Sequence, residues 1–162
     1  MTDDFTSLAE RRALVTGASG GLGAHFAAVL ARAGARVALG ARRTVELEAV
    51  AAAIDGVRMT VPLDVTDDAS VQAALDRIDA AWGPVDLLIN NAGIVERGRD
   101  PLNMAVQRFA EVVEVNLTSV FRLSREVARR LIAAGRPGAI VNIASLLSFE
   151  ISPGVPAYCA SK

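Results

Sequence analysis

Hydrophobic positions along the chain fall into two alternating patterns. Short apolar runs that end at turn residues predict five strands, which lie within residues 12–17, 36–41, 57–65, 85–90 and 138–145. The fourth run, VDLLIN, is almost continuously apolar. Such a run is typical of a strand that is covered on both faces of a sheet.

Between these runs, apolar residues recur at the spacing of an α-helix. The first three helical sets are Phe26, Val29, Leu30 and Ala33; Leu47, Val50 and Ile54; and Val71, Leu75, Ile78 and Trp82. A helical stretch around Val106, Phe109 and Val113 follows, and a longer helix is predicted to turn inward Val120, Leu123, Val127 and Leu131. Gly34 is a good stop for the first helix.

Strands that alternate with helices through short connections require right-handed crossovers, so the pattern predicts a parallel sheet. The chain contains no linker, tandem repeat or low-complexity segment. We therefore predict a single α/β domain over residues 1–162. A chain of this length can bury roughly two thirds of the surface that it exposes when unfolded.

Composition narrows the class of partner. The formal net charge is −1, without a block of like charges, so neither nucleic acid nor a membrane is a predicted partner. No run of about 18 apolar residues occurs, and the polar start lacks the apolar stretch of a secretory signal. The single cysteine, Cys159, and the single histidine exclude an intrachain disulfide and make a metal site unexpected. These features predict a cytoplasmic protein.

The turn after the first predicted strand, TGASGGLG at residues 16–23, also opens the first helix. Gly17, Gly21 and Gly23 permit positive φ, close approach of backbone to a phosphate, and tight packing of helix on strand. The helix N-terminus presents unpaired N–H groups to a pyrophosphate. The alternative is that the glycines do no more than make a sharp corner between strand and helix. The position of the turn in a βαβ unit favours dinucleotide binding.

The second strand ends with the sequence GARR, so Ala41 is followed by Arg42 and Arg43. An NAD-selective site has a carboxylate here for the ribose 2′-hydroxyl. An arginine can instead pair with a 2′-phosphate, which favours NADP(H) over NAD(H). Two solvated charges at the start of a helix are the other interpretation. Arg42 is the stronger candidate because it comes first after the strand.

Tyr158 and Lys162 are four residues apart, so a helix that begins near Tyr158 would bring both side chains to one face. A free phenol titrates at about pH 10, and a neighbouring ammonium would stabilise the phenolate. A surface pair on an ordinary helix is the alternative. Ser145 at the end of the fifth strand, Asn116 at a predicted helix junction, and the NNAG motif at residues 90–93 favour a site. Open α/β sheets bind ligands at this carboxyl edge.

Six motifs in order resemble the short-chain dehydrogenase/reductase family. They are TGASGGLG, LDV at residues 63–65, NNAG, VNL at residues 115–117, NIAS at residues 142–145, and YCASK at residues 158–162. The resemblance extends from Thr16 to Lys162. It implies a Rossmann-type doubly wound parallel sheet in the order 3-2-1-4-5. It also implies hydride transfer between a nicotinamide and a small-molecule carbonyl or alcohol substrate.

The resemblance implies a role for each of four catalytic residues. Tyr158 would be the acid/base that protonates the nascent alkoxide, and Ser145 would donate a hydrogen bond that orients and polarises the carbonyl. Lys162 would make the tyrosine more acidic and bond the nicotinamide ribose. Asn116 would anchor a water that relays protons behind that lysine.

The resemblance also implies a set of cofactor contacts. Asp64 and Val65 would contact the adenine, and Asn91 would steady the central sheet beside the cofactor. The rest of the predicted set is Gly17, Ser19, Gly21, Leu22, Gly23, Arg42, Arg43, Ala92, Gly93, Tyr158 and Lys162. Gly20 stands where many NADP-preferring members carry a basic residue, so the NADP(H) prediction rests mainly on Arg42.

Residues 142–162 are similar to the sugar-acid members of the family, the gluconate and 2-keto-3-deoxygluconate 5-dehydrogenases. Arg97 and Arg99 could pair with a substrate carboxylate, although we favour solvated loop charges. A pocket wall that would equally suit an acyl chain is expected from Leu146, Leu147, Phe149 and Pro153. We therefore predict a sugar-acid or polyol dehydrogenase, with a 3-oxoacyl-thioester reductase as the alternative.

Family members continue past the tyrosine–lysine motif with the rest of the helix, further strands and a substrate lid. We therefore expect these 162 residues to be part of a longer enzyme and to be inactive alone. At full length, the enzyme is expected to form a homodimer or homotetramer. The alternative from another class is a non-catalytic dinucleotide-binding fragment or sensor. The complete set of Ser145, Asn116, Tyr158 and Lys162 argues against that alternative.

Overall fold

The computed structural model describes residues 7–97 and 100–162. Its strands form one parallel sheet and are β1 Arg12–Thr16, β2 Arg36–Ala41, β3 Arg58–Pro62, β4 Leu87–Asn90 and β5 Ala139–Asn142. The strand order is β3-β2-β1-β4-β5, so the direction of winding reverses between β1 and β4. The predicted α/β class and strand order are confirmed.

Helices connect the strands. They are α1 Gly21–Arg32, α2 Thr44–Ala52, α3 Asp68–Trp82, α4 Val106–Val113, α5 Ser119–Ala133 and α6 Pro156–Ser161. A π-helical turn, Glu114–Thr118, joins α4 to α5, and 3-10 turns occur at Pro101–Asn103 and Leu146–Ser148. Within the described part of the chain, none of the helices is both long and apolar enough to cross a membrane.

The core lies on both faces of the sheet, because successive residues of a strand point to opposite sides. Leu14 of β1 is buried on one face with Leu75 of α3 and Leu123 of α5. The next residue, Val15, is buried on the other face with Leu47 of α2. Coverage on both faces explains the nearly continuous apolar runs of the central strands.

The buried face of α1 differs from the predicted one. Gly23, Ala27 and Ala31 are buried, whereas Val29 is 40% exposed. Small side chains at these positions allow the helix backbone to lie close to the sheet, and Phe26 packs at the border of this contact. Periodicity of large apolar residues therefore missed a face that is built from glycine and alanine.

The edge strand β5 contrasts with the buried β1. All residues of β5 are exposed, including Ile140 at 39% and Val141 at 44%. β5 pairs with β4 along its length. The amide of Asn90 adds a side-chain link, because its Nδ2 donates to Asn142 Oδ1 at 2.8 Å. This strand is therefore held through its pairing with β4.

A buried ion pair fixes β1 at the amino edge of the sheet. Asp86 Oδ1 accepts from the backbone N–H of Arg12 at 2.8 Å, and its Oδ2 accepts from the Arg12 guanidinium. Arg12 is 7% exposed and Asp86 is 2% exposed. Removal of one partner from such a pair leaves an uncompensated charge in the interior.

We predict that Asp86→Asn lowers the free energy of unfolding by about 3–5 kcal/mol, because the buried Arg12 charge loses its counterion. The matched control is Glu10→Gln, which removes the carboxylate of the exposed pair between Glu10 and Arg36 and should change stability by less than about 1 kcal/mol. Urea unfolding of both variants measures the difference. If both variants shifted the urea midpoint equally, the greater contribution of the buried ion pair to stability would be contradicted.

Candidate active site

The carboxyl ends of β1 and β4 are joined by the side chains of Thr16 and Asn91. Thr16 Oγ1 accepts from the backbone N–H of Asn91 at 3.0 Å and from that of Ala92 at 2.9 Å. Asn91 Nδ2 donates to the carbonyl oxygen of Thr16 at 2.9 Å. Thr16 is 1% exposed, so water does not compete for these bonds. They hold two diverging loops together at the reversal of strand order, where open α/β sheets bind ligands.

Two glycines allow the turn between β1 and α1 to pack against this junction. Gly17 has φ +66°, and a Cβ there would lie 2.9 Å from Ala92 Cα. A Cβ on Gly23 would collide with the carbonyl oxygen of Gly17 and lie 2.7 Å from Asn91 Nδ2. A side chain at either position would therefore push α1 or the Asn91 loop away from β1.

A cavity of about 480 Å³ opens beside this turn. Among the described residues, no side chain caps the N-terminus of α1, and a Cβ on Gly20 or Gly21 would meet no atom within 4 Å. The first turn of the helix can therefore present its N–H groups to an anion. Ten of the predicted cofactor residues line the cavity: Gly17, Ser19, Leu22, Arg42, Arg43, Asp64, Val65, Asn91, Ala92 and Gly93.

The remaining predicted cofactor residues lie outside this wall. Gly21 and Gly23 belong to the start of α1, whereas Tyr158 lines a neighbouring cavity and Lys162 follows α6. The wall also contains residues that were not predicted: Gly20, Ala41, Leu63, Ile94 and Val115. Gly20, Leu63 and Val115 stand inside the motifs TGASGGLG, LDV and VNL, whereas Ala41 and Ile94 are apolar neighbours of predicted residues.

Charged side chains form one end of the cavity. Arg43 Nη2 donates to Ser19 Oγ at 3.0 Å, and Arg42 Nη1 lies 3.8 Å from Asp64 Oδ2. Burial would raise the pKa of Asp64, but hydrogen bonds from the amide and hydroxyl of Thr66, with the charge of Arg42, lower it below its ordinary value. Each guanidinium has five N–H donors, so both retain capacity for an anionic ligand.

Arg122 of α5 holds the backbone of the loop at this charged end of the cavity, a contact that the sequence did not reveal. Its Nη1 donates to the carbonyl oxygen of Val65 at 3.2 Å. Its other nitrogens pair with Glu114 at 2.8 Å and Asp68 at 2.6 Å. The hydrogen bond to Glu114 raises the pKa of Arg122. The side chain therefore ties α5 to the loop that carries Asp64 and Val65.

The side chain of Lys162, directly after α6, lies beside that of Tyr158 in the helix, as their spacing predicted. The Nζ of Lys162 lies 5.8 Å from the centroid of the Tyr158 ring. It donates to the carbonyl oxygen of Ile143 at 2.6 Å. Burial lowers the pKa of the Lys162 ammonium, so this nitrogen releases a proton more readily than an exposed lysine does.

Asn116 lies in the π-helical turn between α4 and α5 and is 4% exposed. Its Oδ1 accepts from the backbone N–H of Ile94 at 2.8 Å. Its Nδ2 donates to the carbonyl oxygen of Ile94 and to Ser161 Oγ, each at 2.9 Å. Both amide hydrogens are thus engaged, and a water held by this side chain would have to bond to Oδ1.

Ser145 follows β5 and caps the 3-10 turn at Leu146–Ser148. Its Oγ accepts from the backbone N–H of Leu147 at 3.2 Å. This bond uses the hydroxyl as an acceptor, which leaves its hydrogen to be donated elsewhere. The turn contacts α6, so Ser145 and Tyr158 lie in neighbouring elements.

A second cavity, of about 450 Å³, lies against Tyr158. Arg97 lines it, whereas Arg99 lies outside the described residues. The rest of its wall is mostly apolar or small: Val95, Leu147, Ser152, Pro153, Gly154 and Val155. An elongated substrate with one charged end would therefore find both apolar surface and a cation.

The predicted pocket wall is confirmed in part. Leu147 and Pro153 line the cavity beside Tyr158. Leu146 and Phe149 do not line it and are 68% and 89% exposed. Adjacent residues of a short 3-10 turn point in different directions, and the sequence did not reveal this turn.

Residues 11–162 match the family model described as short chain dehydrogenase. Gluconate 5-dehydrogenase of Gluconobacter oxydans (strain 621H) is 39% identical over 163 residues, covering 98% of this chain and 62% of the relative. The 3-oxoacyl-(acyl-carrier-protein) reductase of Escherichia coli (strain K12) is 39% identical over 152 residues, covering 93% of this chain and 61% of the relative. The structure of a proposed 2-deoxy-D-gluconate 3-dehydrogenase of Agrobacterium tumefaciens, solved with bound NADP, matches with a TM-score of 0.83 and 41% sequence identity. The match covers 96% of this chain and 61% of that one.

The chain spans about three fifths of the length of these relatives. Its identity to the gluconate dehydrogenase and to the thioester reductase is the same. Overall similarity therefore does not distinguish a sugar-acid substrate from a thioester, and the side chains of the site must supply that distinction.

Proposed function

The chain belongs to the short-chain dehydrogenase family, and on this basis we propose that it serves NAD(P)-dependent hydride transfer between a nicotinamide and a carbonyl or secondary alcohol. A nicotinamide dinucleotide supplies the hydride donor or acceptor when it is bound. The observation that carries the proposal is a set of contacts at the carboxyl edge of the sheet, where the glycine turn also lies. Lys162 bonds to Ile143, directly after β5, and lies beside Tyr158, while Asn116 bonds to Ile94 in the segment after β4. The open first turn of α1 fits a pyrophosphate.

In this proposal, Tyr158 moves the proton of the reaction. Its hydroxyl protonates the substrate oxygen during carbonyl reduction and recovers the proton during alcohol oxidation. The charge of Lys162, 5.8 Å from the ring centroid, stabilises the phenolate that remains. Ser145 donates its hydroxyl hydrogen to the same substrate oxygen. Asn116 supports the proton path behind Lys162.

NADP(H) is the proposed cofactor in preference to NAD(H). The support is the pair of cations, Arg42 and Arg43, at one end of the cavity beside the glycine turn. Arg43 is already held beside the glycine turn by Ser19, at 3.0 Å. The Agrobacterium tumefaciens relative is a second support, because its structure contains NADP.

The proposed substrate is a sugar acid or polyol. Arg97 supports a carboxylated substrate, because it lines the cavity that Tyr158 also lines and a guanidinium pairs well with a carboxylate. The second candidate is reduction of a 3-oxoacyl thioester. It is favoured by the apolar side chains of Val95, Leu147 and Val155 in the same wall.

We further propose a homodimeric or homotetrameric protein of the cytoplasm. Apolar side chains along α4, the π-helical turn and α5 support assembly, with Val106 at 77%, Leu117 at 51% and Phe121 at 66% exposed. Large exposed apolar patches mark interaction sites. The single cysteine, Cys159, suits a reducing compartment.

Tyr158→Phe should lower kcat by about 10²- to 10⁴-fold, because the ring remains but the proton donor is lost. Cofactor affinity should change much less than kcat, because Tyr158 lies outside the cavity that most of the predicted cofactor residues line. Steady-state oxidation of NADPH with a carbonyl substrate, beside a fluorescence titration of NADPH, measures both quantities. Unchanged turnover would contradict the acid/base role. Tight cofactor binding without turnover by the unsubstituted full-length protein would favour the non-catalytic alternative.

Arg42→Ala should raise the Kd for NADPH by about tenfold or more, because a charge-assisted hydrogen bond to the 2′-phosphate is lost. The Kd for NADH should be unaffected. The control is Arg58→Ala, which removes an arginine of β3 that donates to the carbonyl oxygen of Gly56. Equal effects on NADH and NADPH would contradict 2′-phosphate recognition by Arg42.

Arg97→Ala should raise KM for a 5-keto sugar acid by about tenfold, because a charge-assisted pair with the carboxylate is lost. KM for a neutral polyol or a short 3-oxoacyl thioester should not change. Arg77→Ala, on the exposed face of α3, is the control. Turnover of the thioester without turnover of the sugar acid would instead select the reductase alternative.

A further inference from the structure

The hydroxyl of Ser161 connects two parts of the candidate active site. Ser161 is 5% exposed and occupies the last position of α6, directly before Lys162. Its Oγ–H donates to the carbonyl oxygen of Tyr158 at 2.9 Å. Ser161 Oγ also accepts from Asn116 Nδ2 at 2.9 Å. One hydroxyl therefore contacts both the backbone of the tyrosine and the side chain of the asparagine.

Donation to a carbonyl within the same helix is ordinary for a buried serine. Ser119 makes such a bond, to the carbonyl oxygen of Val115 at 2.6 Å, and is 3% exposed. Ser161 differs because its lone pair also receives a hydrogen from Asn116, 45 residues away in sequence. In the described part of the chain, this bond links the π-helical turn to α6.

Asn116 depends on Ser161 for one of its partners. The backbone groups of Ile94 use Oδ1 and one hydrogen of Nδ2. The second hydrogen goes to Ser161 Oγ. Without the serine hydroxyl, a 4% exposed amide would keep a donor that has lost its acceptor. The amide would rotate, or α6 would shift, until another partner was found.

We propose that Ser161 is a positioning residue of the active site, which sets α6 against Asn116 and so fixes Tyr158 and Lys162. The proposal rests on the proposed function for its catalytic consequence. It follows from the two hydrogen bonds of one buried oxygen. A small displacement of a proton donor relative to its substrate has a large effect on rate, so a hydroxyl that touches neither substrate nor cofactor can control turnover.

Ser161→Ala should lower kcat by roughly 10- to 100-fold, because the proton donor is displaced from its productive position. KM for the cofactor should change much less than kcat, since only the Lys162 contact is displaced and the cavity beside the glycine turn is untouched. Ser161→Thr keeps the hydroxyl and should recover most of the lost kcat. Ser119→Ala removes an equally buried hydroxyl without a link to α6 and should leave kcat within about twofold.

The double variant Ser161→Ala/Asn116→Ala tests whether Ser161 acts through the asparagine. Residues that act as a unit have non-additive effects, so the double variant should be no slower than Asn116→Ala alone. Loss of kcat equal to the product of the two single losses would overturn the proposal. So would a kcat for Ser161→Ala within about twofold of the unsubstituted protein.

Amide hydrogen exchange of residues 155–162 supplies a readout that does not require turnover. Ser161→Ala and Asn116→Ala should both accelerate exchange in α6, including the amide of Cys159 that donates to Val155, whereas Ser119→Ala should not. Unchanged exchange in Ser161→Ala would overturn the positioning role. Absence of turnover in the unsubstituted full-length protein would count against the proposed function, while this exchange comparison would still decide the role of Ser161.

Discussion

The hydrogen bonds between Thr16 and the Asn91 loop are the constraint on which the site depends. β1 and β4 are neighbours, but the segments that follow them leave the sheet in different directions. Thr16 Oγ1 and Asn91 Nδ2 close the gap between these segments with three bonds of 2.9–3.0 Å. Gly17 and Gly23 are small for the same reason, because Asn91 and Ala92 occupy the space that a Cβ would need. The cavity beside the glycine turn exists because these two segments remain adjacent.

The same loop continues into the catalytic half of the site. Three residues beyond Asn91, the backbone of Ile94 binds the amide of Asn116 through both of its polar groups. Asn116 in turn binds Ser161, which lies between Tyr158 and Lys162 in sequence. Buried and partly buried polar side chains, joined through the backbone of residues 91–94, thus run from the glycine turn to α6. Such a network specifies one arrangement when every member is satisfied, so the cofactor cavity and the proton donor are set by connected interactions.

Sequence patterns predicted the fold well because strand and helix periods follow directly from burial. β2, for example, has the predicted bounds, since its apolar run ends where the charged Arg42 begins. Tyr158 and Lys162 were predictable because their contact is local to one helix. The link of Asn116 to Ser161, the support of Val65 by Arg122, and the common cavity of Arg97 and Tyr158 join distant segments. No local spacing encodes such contacts, and the glycine–alanine face of α1 carried no large apolar signal.

Transfer of deuterium from NADPH labelled at nicotinamide C4 tests most directly whether this edge of the sheet carries hydride transfer. The full-length protein is incubated with the labelled cofactor and a 5-keto sugar acid or a short 3-oxoacyl thioester, and the alcohol product is analysed by mass spectrometry. Deuterium on the carbinol carbon of one product is the expected result. Bound cofactor with unlabelled carbonyl compounds recovered unchanged would contradict an oxidoreductase, and would leave a dinucleotide-binding protein whose Tyr158 and Lys162 do not act on a substrate.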